Sequence, residues 1–139
     1  MRFKESLKQG KVHEEVVLKR LKKAYPSAYI VEGYFKEYDI FIPEINKSVE
    51  VKSDVKSKYT GNIVIETSFG GRPSALSTTK ADFWIIYDGY DYNVFKTSEI
   101  RKCIAENGLK LVTFIGNGDY KSKEAYLIPK KTLYRYKNQ

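Results

Sequence analysis

Asp39-Ile40-Phe41-Ile42-Pro43-Glu44-Ile45-Asn46-Lys47-Ser48-Val49-Glu50-Val51-Lys52 (DIFIPEINKSVEVK) reads as two strands joined by a turn. Side chains alternate across a strand, so Glu50 and Lys52 share one face while Val51 points to the other. A two-residue turn at Ile45-Asn46 would set Ile42 opposite Val49, Ile40 opposite Val51, Phe41 opposite Glu50 and Asp39 opposite Lys52. One face then carries Ile40, Ile42, Val49 and Val51, and the other Asp39, Glu50 and Lys52. A one-residue slip would turn charges against aliphatics, so pattern and register support each other. Two carboxylates and an ammonium gathered on a rigid strand pair suit a divalent cation and a phosphate.

Working outward, residues 4–24 read as a helix, with Leu7, Val17, Leu18 and Leu21 at helical spacing and Pro26 ending the run. Gly10, Glu14, Val17 and Leu21 fall on one stripe. A carboxylate on a core-facing stripe is costly unless it is paired or bound to a metal, which draws Glu14 toward the strand acids. Glu15 lies about 100° round the helix, nearer Lys19 and Lys22, and reads as a solvated ion-pair partner.

Downstream, strands are expected at Tyr29–Gly33, Glu37–Ile42, Ser48–Ser53, Asn62–Glu66, Asp82–Asp88, Tyr92–Lys96, Leu109–Ile115 and Glu124–Ile128. A second helix is expected over Ser98–Asn107. Ser68–Thr79 and Gly116–Lys123 read as loops. The order predicts an α/β (mixed α+β) fold with a central mixed sheet flanked by helices, in a single domain over 1–139.

Lys plus Arg is 25 against 17 Asp plus Glu, a formal charge of +8. Such an excess concentrates polyanions, though it also serves solubility. A single His, His13, excludes sites that need several His ligands and leaves a Ser-His-Asp triad without its usual sequence context. A single Cys, Cys103, excludes an intramolecular disulfide. The polar start MRFKESLKQGK does not read as a signal peptide, and no apolar run approaches the roughly 18 residues of a membrane span. No membrane partner and an intracellular setting (cytoplasm or nucleoid, or host cytoplasm for a phage protein) are therefore expected.

Asp39, Glu50-x-Lys52 and a helix Glu14 four residues after Gly10 together resemble the PD-(D/E)XK nuclease superfamily, most closely archaeal-type Holliday-junction resolvases and related phage nucleases. The likeness covers roughly residues 10–90, and Tyr38 stands where a Pro is usual. It implies a restriction-endonuclease-like core and a Mg²⁺- or Mn²⁺-dependent deoxyribonuclease acting on DNA. Asp39 and Glu50 would bind the metal, with the Val51 carbonyl as a third ligand. Glu14 would bind a second metal or orient its water. Lys52 would sit beside the nucleophile.

Several residues keep two readings. Glu66 is either a further acidic site residue or a strand-end charge. Arg72, Ser77, Thr78, Thr79 and Lys80 suit phosphate contacts at a short helix start, or cap that helix. Lys56 and Lys58 are candidate DNA-backbone contacts or a solvated face. Tyr59, Tyr90 and Tyr92 lie near turns, where they would stack on unpaired bases or serve the fold. A homodimer would suit paired nicks, with Leu109–Ile128 or the basic tail Lys130–Lys137 as the interface. The rival readings are a non-catalytic nucleic-acid-binding module on the same fold, a sequence-specific restriction-type endonuclease, and an interaction protein with a basic surface.

Overall fold

The structure is a computed structural model that describes residues 2–34, 36–116 and 119–138, with residues 2–9 described by backbone alone. The Leu7 side chain and positions Asn117 and Gly118 of the expected 116–123 loop lie outside the described residues. The fold is mixed α+β, as the sequence predicts.

The first sheet holds β1 (Tyr29–Ile30), β2 (Ile40–Ile42), β3 (Lys47–Ser53), β6 (Phe83–Tyr87) and β7 (Tyr92–Lys96) in the order β1-β2-β3-β6-β7. Only β3 and β6 run parallel among these pairs. A parallel pair needs a long crossover. Here the crossover contains α2 (Ser57–Thr60), β4 (Asn62–Phe69), β5 (Arg72–Pro73) and a 3-10 turn at Ala75–Ser77. β4 and β5 join β8 (Leu111–Phe114) and β9 (Lys123–Pro129) in a second sheet ordered β5-β4-β9-β8.

This second sheet changes the expected layering. Helix α1 (Arg2–Leu21) covers one face of the first sheet, burying Val17 with Ile40, Ile42, Val49 and Ile85. The other face carries Trp84, Ile86 and Phe95. It packs against Ile63, Ile65 and Ile128 of the second sheet, Ile100 and Cys103 of α3 (Thr97–Glu106), and Leu133 of α4 (Lys130–Tyr134). A sheet thus covers much of the face where helices alone were expected. β6 alternates between the two cores, which is why FWIIY is apolar almost throughout.

The hairpin register differs from expectation by two residues. Ile40 pairs with Val49, Phe41 with Ser48 and Ile42 with Lys47. The connection is not a two-residue turn: Pro43–Ile45 form a 3-10 turn that closes on Asn46 at φ 52°. Proline supplies the fixed φ of the turn, and Asn tolerates the left-handed conformation at its end. A shift of two preserves side-chain faces, so Ile40, Ile42 and Val49 are still buried together while Asp39 now lies across from Glu50 instead of Lys52.

Other boundaries move as well. β1 and β2 are shorter than expected, because the chain leaves the sheet near Gly33, whose φ is 115°. β4 runs on to Phe69, through an irregularity between Glu66 and Ser68, into what reads as loop. The expected basic tail begins as α4. Among the described residues no helix is long and apolar enough to cross a membrane.

Candidate functional site

Asp39 immediately precedes β2 and is buried. Its N–H donates to the Val49 carbonyl at 2.9 Å and its carbonyl accepts from Val31 at 2.8 Å, so its backbone is fixed between β1 and β3. β2 pairing begins only at Ile40. The Val51 N–H lies beyond that pairing and takes the Asp39 carboxylate as its acceptor, at 2.7 Å. The same carboxylate pairs with Lys36 at 3.2 Å through its other oxygen. A carboxylate has about four lone-pair positions, so acceptor capacity remains on both oxygens.

Glu50 and Lys52 share the β3 face that looks away from α1, while Val51 packs toward the α1 core. Lys52 Nζ is 3.4 Å from Glu50 Oε1 and 5.7 Å from the Trp84 ring centre. Burial pushes the Glu50 carboxyl up to about 7; the Lys52 ammonium opposes the shift and the neighbouring Asp39 carboxylate adds to it. Two carboxyl groups therefore crowd one another in a desolvated place, the condition in which one of them resists ionisation.

Glu14 reaches this group through a residue the sequence pattern does not flag. Lys36 Nζ lies 3.2 Å from Glu14 Oε1 and 3.2 Å from Asp39 Oδ1. Burial raises the Glu14 carboxyl, Asp39 raises it further, and Lys36 pulls it back. Lys36 itself is held protonated: desolvation by burial works against its charge, but Asp39 and Glu14 outweigh it. Lys36 lies in the irregular stretch between β1 and β2, where no periodicity marks a side chain. Its three-residue spacing from Asp39 was the one available signal.

The structure thus forms a charge chain, Glu14–Lys36–Asp39–Glu50–Lys52. Three carboxyl groups face two ammoniums, an excess of one negative charge once Glu50, raised to about 7, has lost its proton. Among the described residues no group of three or more His, Cys, Asp and Glu side chains is disposed to hold a metal ion. The expected set is accordingly divided: Asp39 and Glu50 adjoin, and Glu14 is separated from them by Lys36. Two hard carboxylates with surplus negative charge still fit a hard divalent cation, which in proteins commonly retains several waters and takes one or two carboxylates.

Lys52 also opens into a cleft of about 400 Å³ between the two sheets, lined among others by Asp54, Lys56, Glu66, Trp84, Phe114 and Lys123. Glu66 stands on the β4 side of this cleft. It accepts a hydrogen bond from Ser74 Oγ at 2.6 Å and pairs with Lys123 at 3.5 Å. It belongs to the cleft and is not among the partners of Asp39.

The residues Ser77, Thr78, Thr79 and Lys80 do not start a helix. They close the turn that leads into β6. Thr79 Oγ1 accepts from the Ala81 N–H at 3.1 Å and from Trp84 Nε1 at 3.4 Å, and the Lys80 carbonyl accepts from Ser48 Oγ at 3.3 Å. Ser48 and Phe83 mark the N-terminal ends of β3 and β6, whereas Lys52 pairs near their C-terminal ends. Arg72 is exposed on β5, at the edge of the second sheet. Lys56 lines the cleft, and Lys58 lies over Tyr59 and Tyr90. Tyr92 is part-buried against His13, Tyr87 and Arg20, so its role is packing.

Comparison with protein-family models, curated proteins and solved structures finds no significant match for this chain.

Proposed function

We propose that this chain is a metal-dependent deoxyribonuclease that hydrolyses phosphodiester bonds, with a restriction-endonuclease-like core and a preference for DNA structure over sequence, as in a junction resolvase. The observation that carries the reading is the Asp39–Glu50 carboxyl pair beside Lys52 on a central strand. The Glu50 carboxyl is raised to about 7 by burial although Lys52 lies 3.4 Å away. Keeping unfavourable charge in a buried position costs stability, and such perturbed groups concentrate at functional sites.

Asp39 and Glu50 would hold Mg²⁺ or Mn²⁺, with the Val51 carbonyl as a third donor by resemblance. When bound, the ion neutralises phosphate charge and acidifies the attacking water. Glu50 must lose its proton to serve as a ligand, so metal and proton compete for it and metal binding weakens as pH falls below about 7. Lys52, steadied against Glu50 and the Trp84 ring, holds an ammonium where a phosphate oxygen gains charge. Asp39, fixed by the Val51 N–H, keeps its position as the phosphate arrives.

The test is cleavage of four-way junction, flap, single-stranded and linear duplex DNA with Mg²⁺. Asp39→Ala removes cutting, and Lys52→Ala lowers it by about 10²-fold or more. Metal-dependent cutting that survives both substitutions overturns the proposal. Native mass decides whether paired nicks come from a homodimer.

A second reading, a DNA-binding module that does not cut, is favoured by one observation: Lys36 occupies the space between Glu14 and Asp39. It predicts no Mg²⁺ or Mn²⁺ binding by calorimetry together with salt-dependent DNA binding.

A further inference from the structure

On the side of the molecule where α2, the β6–β7 turn and the start of α4 meet, two tyrosines stand exposed among lysines. Tyr59 is 82% exposed and Tyr90 64%. Single exposed rings are ordinary on a protein surface, and Tyr34 and Tyr120 are exposed as well; what sets Tyr59 and Tyr90 apart is that one lysine, Lys58, reaches both rings. Lys58 Nζ lies 4.8 Å from the Tyr90 ring centre and 5.9 Å from that of Tyr59, and Lys130 Nζ lies 5.4 Å from Tyr90. The Lys58 stem crosses Gly89 so closely that a Cβ there would collide with its Cγ and Cδ. Gly89, at φ 94°, thus provides both the turn and the bed for this lysine. The ammonium is placed on the aromatic pair instead of ranging freely through solvent.

The patch is continuous with the cleft. Asp54 and Lys56 line the cleft with Lys52, and the chain runs from them directly into Lys58 and Tyr59 of α2. The Asp54 carboxylate, half-buried, accepts from the Val64 N–H at 2.8 Å, and Lys56 and Lys58 stand exposed beside it. Tyrosine rings with ammoniums laid over them match a chain that alternates bases with phosphates, provided the bases are unstacked and Lys58 and Lys130 swing from the rings to the phosphates. Paired duplex presents no free base face to a tyrosine.

We propose that this face binds an unpaired DNA strand, with Tyr59 and Tyr90 stacking on bases, Lys56, Lys58 and Lys130 meeting phosphates, and the strand leading into the cleft toward Lys52. Its fate there rests on the hydrolysis reading above; its binding does not. The substrate class is accordingly DNA with unpaired nucleotides beside the cut, such as a flap, a duplex with a single-stranded overhang or a single strand.

Fluorescence anisotropy of labelled oligo-dT and of a blunt duplex of equal length, in EDTA to prevent cutting, tests the binding. The parent prefers oligo-dT. Tyr59→Ala and Tyr90→Ala each weaken oligo-dT binding about tenfold and leave duplex binding nearly unchanged, while Tyr→Phe at either position retains it. Lys58→Ala with Lys130→Ala lowers the slope of log affinity against log salt by about 1.4. Circular-dichroism melting confirms that these surface variants stay folded. Unchanged oligo-dT affinity in the tyrosine variants, or equal loss on both DNA forms, overturns the proposal. Cutting with Mg²⁺ is scored separately. Strand preference without cutting keeps this inference and removes hydrolysis, and cutting without strand preference does the reverse.

Discussion

Glu50 is the residue at which stability and the proposed chemistry oppose one another. Its carboxyl is raised to about 7 in the fold against an ordinary 4.5. The folded state therefore binds its proton more tightly than the unfolded chain does. In that window stability falls as pH rises from about 4.5, and the loss is complete above about 7. The metal-free protein should melt at a higher temperature at pH 5 than at pH 8. Glu50→Gln should flatten part of this dependence and raise the melting temperature at pH 8; Glu14 and Asp54, raised by burial, shift in the same direction and keep a part of it, while His13, lowered by burial, opposes it. Mg²⁺ should raise the melting temperature of the parent at pH 8 and not that of Glu50→Gln. A variant less stable than the parent at pH 8 would contradict the assigned cause. Lys36 makes a complementary case. Lys36→Gln leaves Glu14 and Asp39 without their shared cation, at a cost of about 1–3 kcal/mol at pH 8 by urea unfolding. It also removes a competing positive charge, so Mn²⁺ should bind more tightly by calorimetry. Unchanged metal affinity would show that Lys36 does not contend for the site.

At the scale of elements, α4 is tied down by the Lys130 N–H, which donates to the Gly61 carbonyl at 2.9 Å, and by a side-chain anchor. Tyr134 donates to Asp88 Oδ2 at 2.7 Å, and Asp88 also accepts from the Tyr90 and Asp91 N–H groups and from Asn93 Nδ2. Burial would raise the Asp88 carboxyl, but these donors overcome it and hold it at about 2. A depressed carboxylate contributes stability that is present above its unfolded value near 3.8 and lost as pH falls toward 2. Tyr134→Phe should therefore cost about 1.5–3 kcal/mol, nearly constant from pH 5 to 8 and shrinking only in strong acid. Equal unfolding curves for parent and variant at pH 7 would remove the anchor from the account. The hairpin shows how much of an element its sequence reveals. The apolar faces of β2 and β3 were legible from alternation, because a side chain's face depends only on parity. The pairing partner was not, because Pro43 and Asn46 build a longer turn that shifts register by two without moving any side chain to the wrong face. The extension of β4 through Thr67 into Phe69 was hidden for a related reason. Its pairing with β9 is non-local, and no local signal in SFGG announces it.

For the molecule as a whole, β6 joins two cores: Ile85 lies in the one under α1, and Trp84 and Ile86 in the one beneath the second sheet. Trp84 is the chain's single tryptophan and is almost fully buried. Its fluorescence should follow far-ultraviolet circular dichroism through one shared thermal transition, since neither core keeps its β6 wall if the other melts. Two separated transitions would mean that the sheets unfold independently. The sequence by itself determined the mixed α+β class, the faces of the central strands, and the company of Asp39, Glu50 and Lys52, because periodicity and short-range spacing encode those directly. Only the tertiary structure decided that a second sheet covers the far face, that Lys36 stands between Glu14 and Asp39, and that Lys52 opens onto a cleft continuous with Tyr59 and Tyr90. Each of those depends on segments distant in the chain coming together, and contact at a distance leaves no periodic mark in a single sequence.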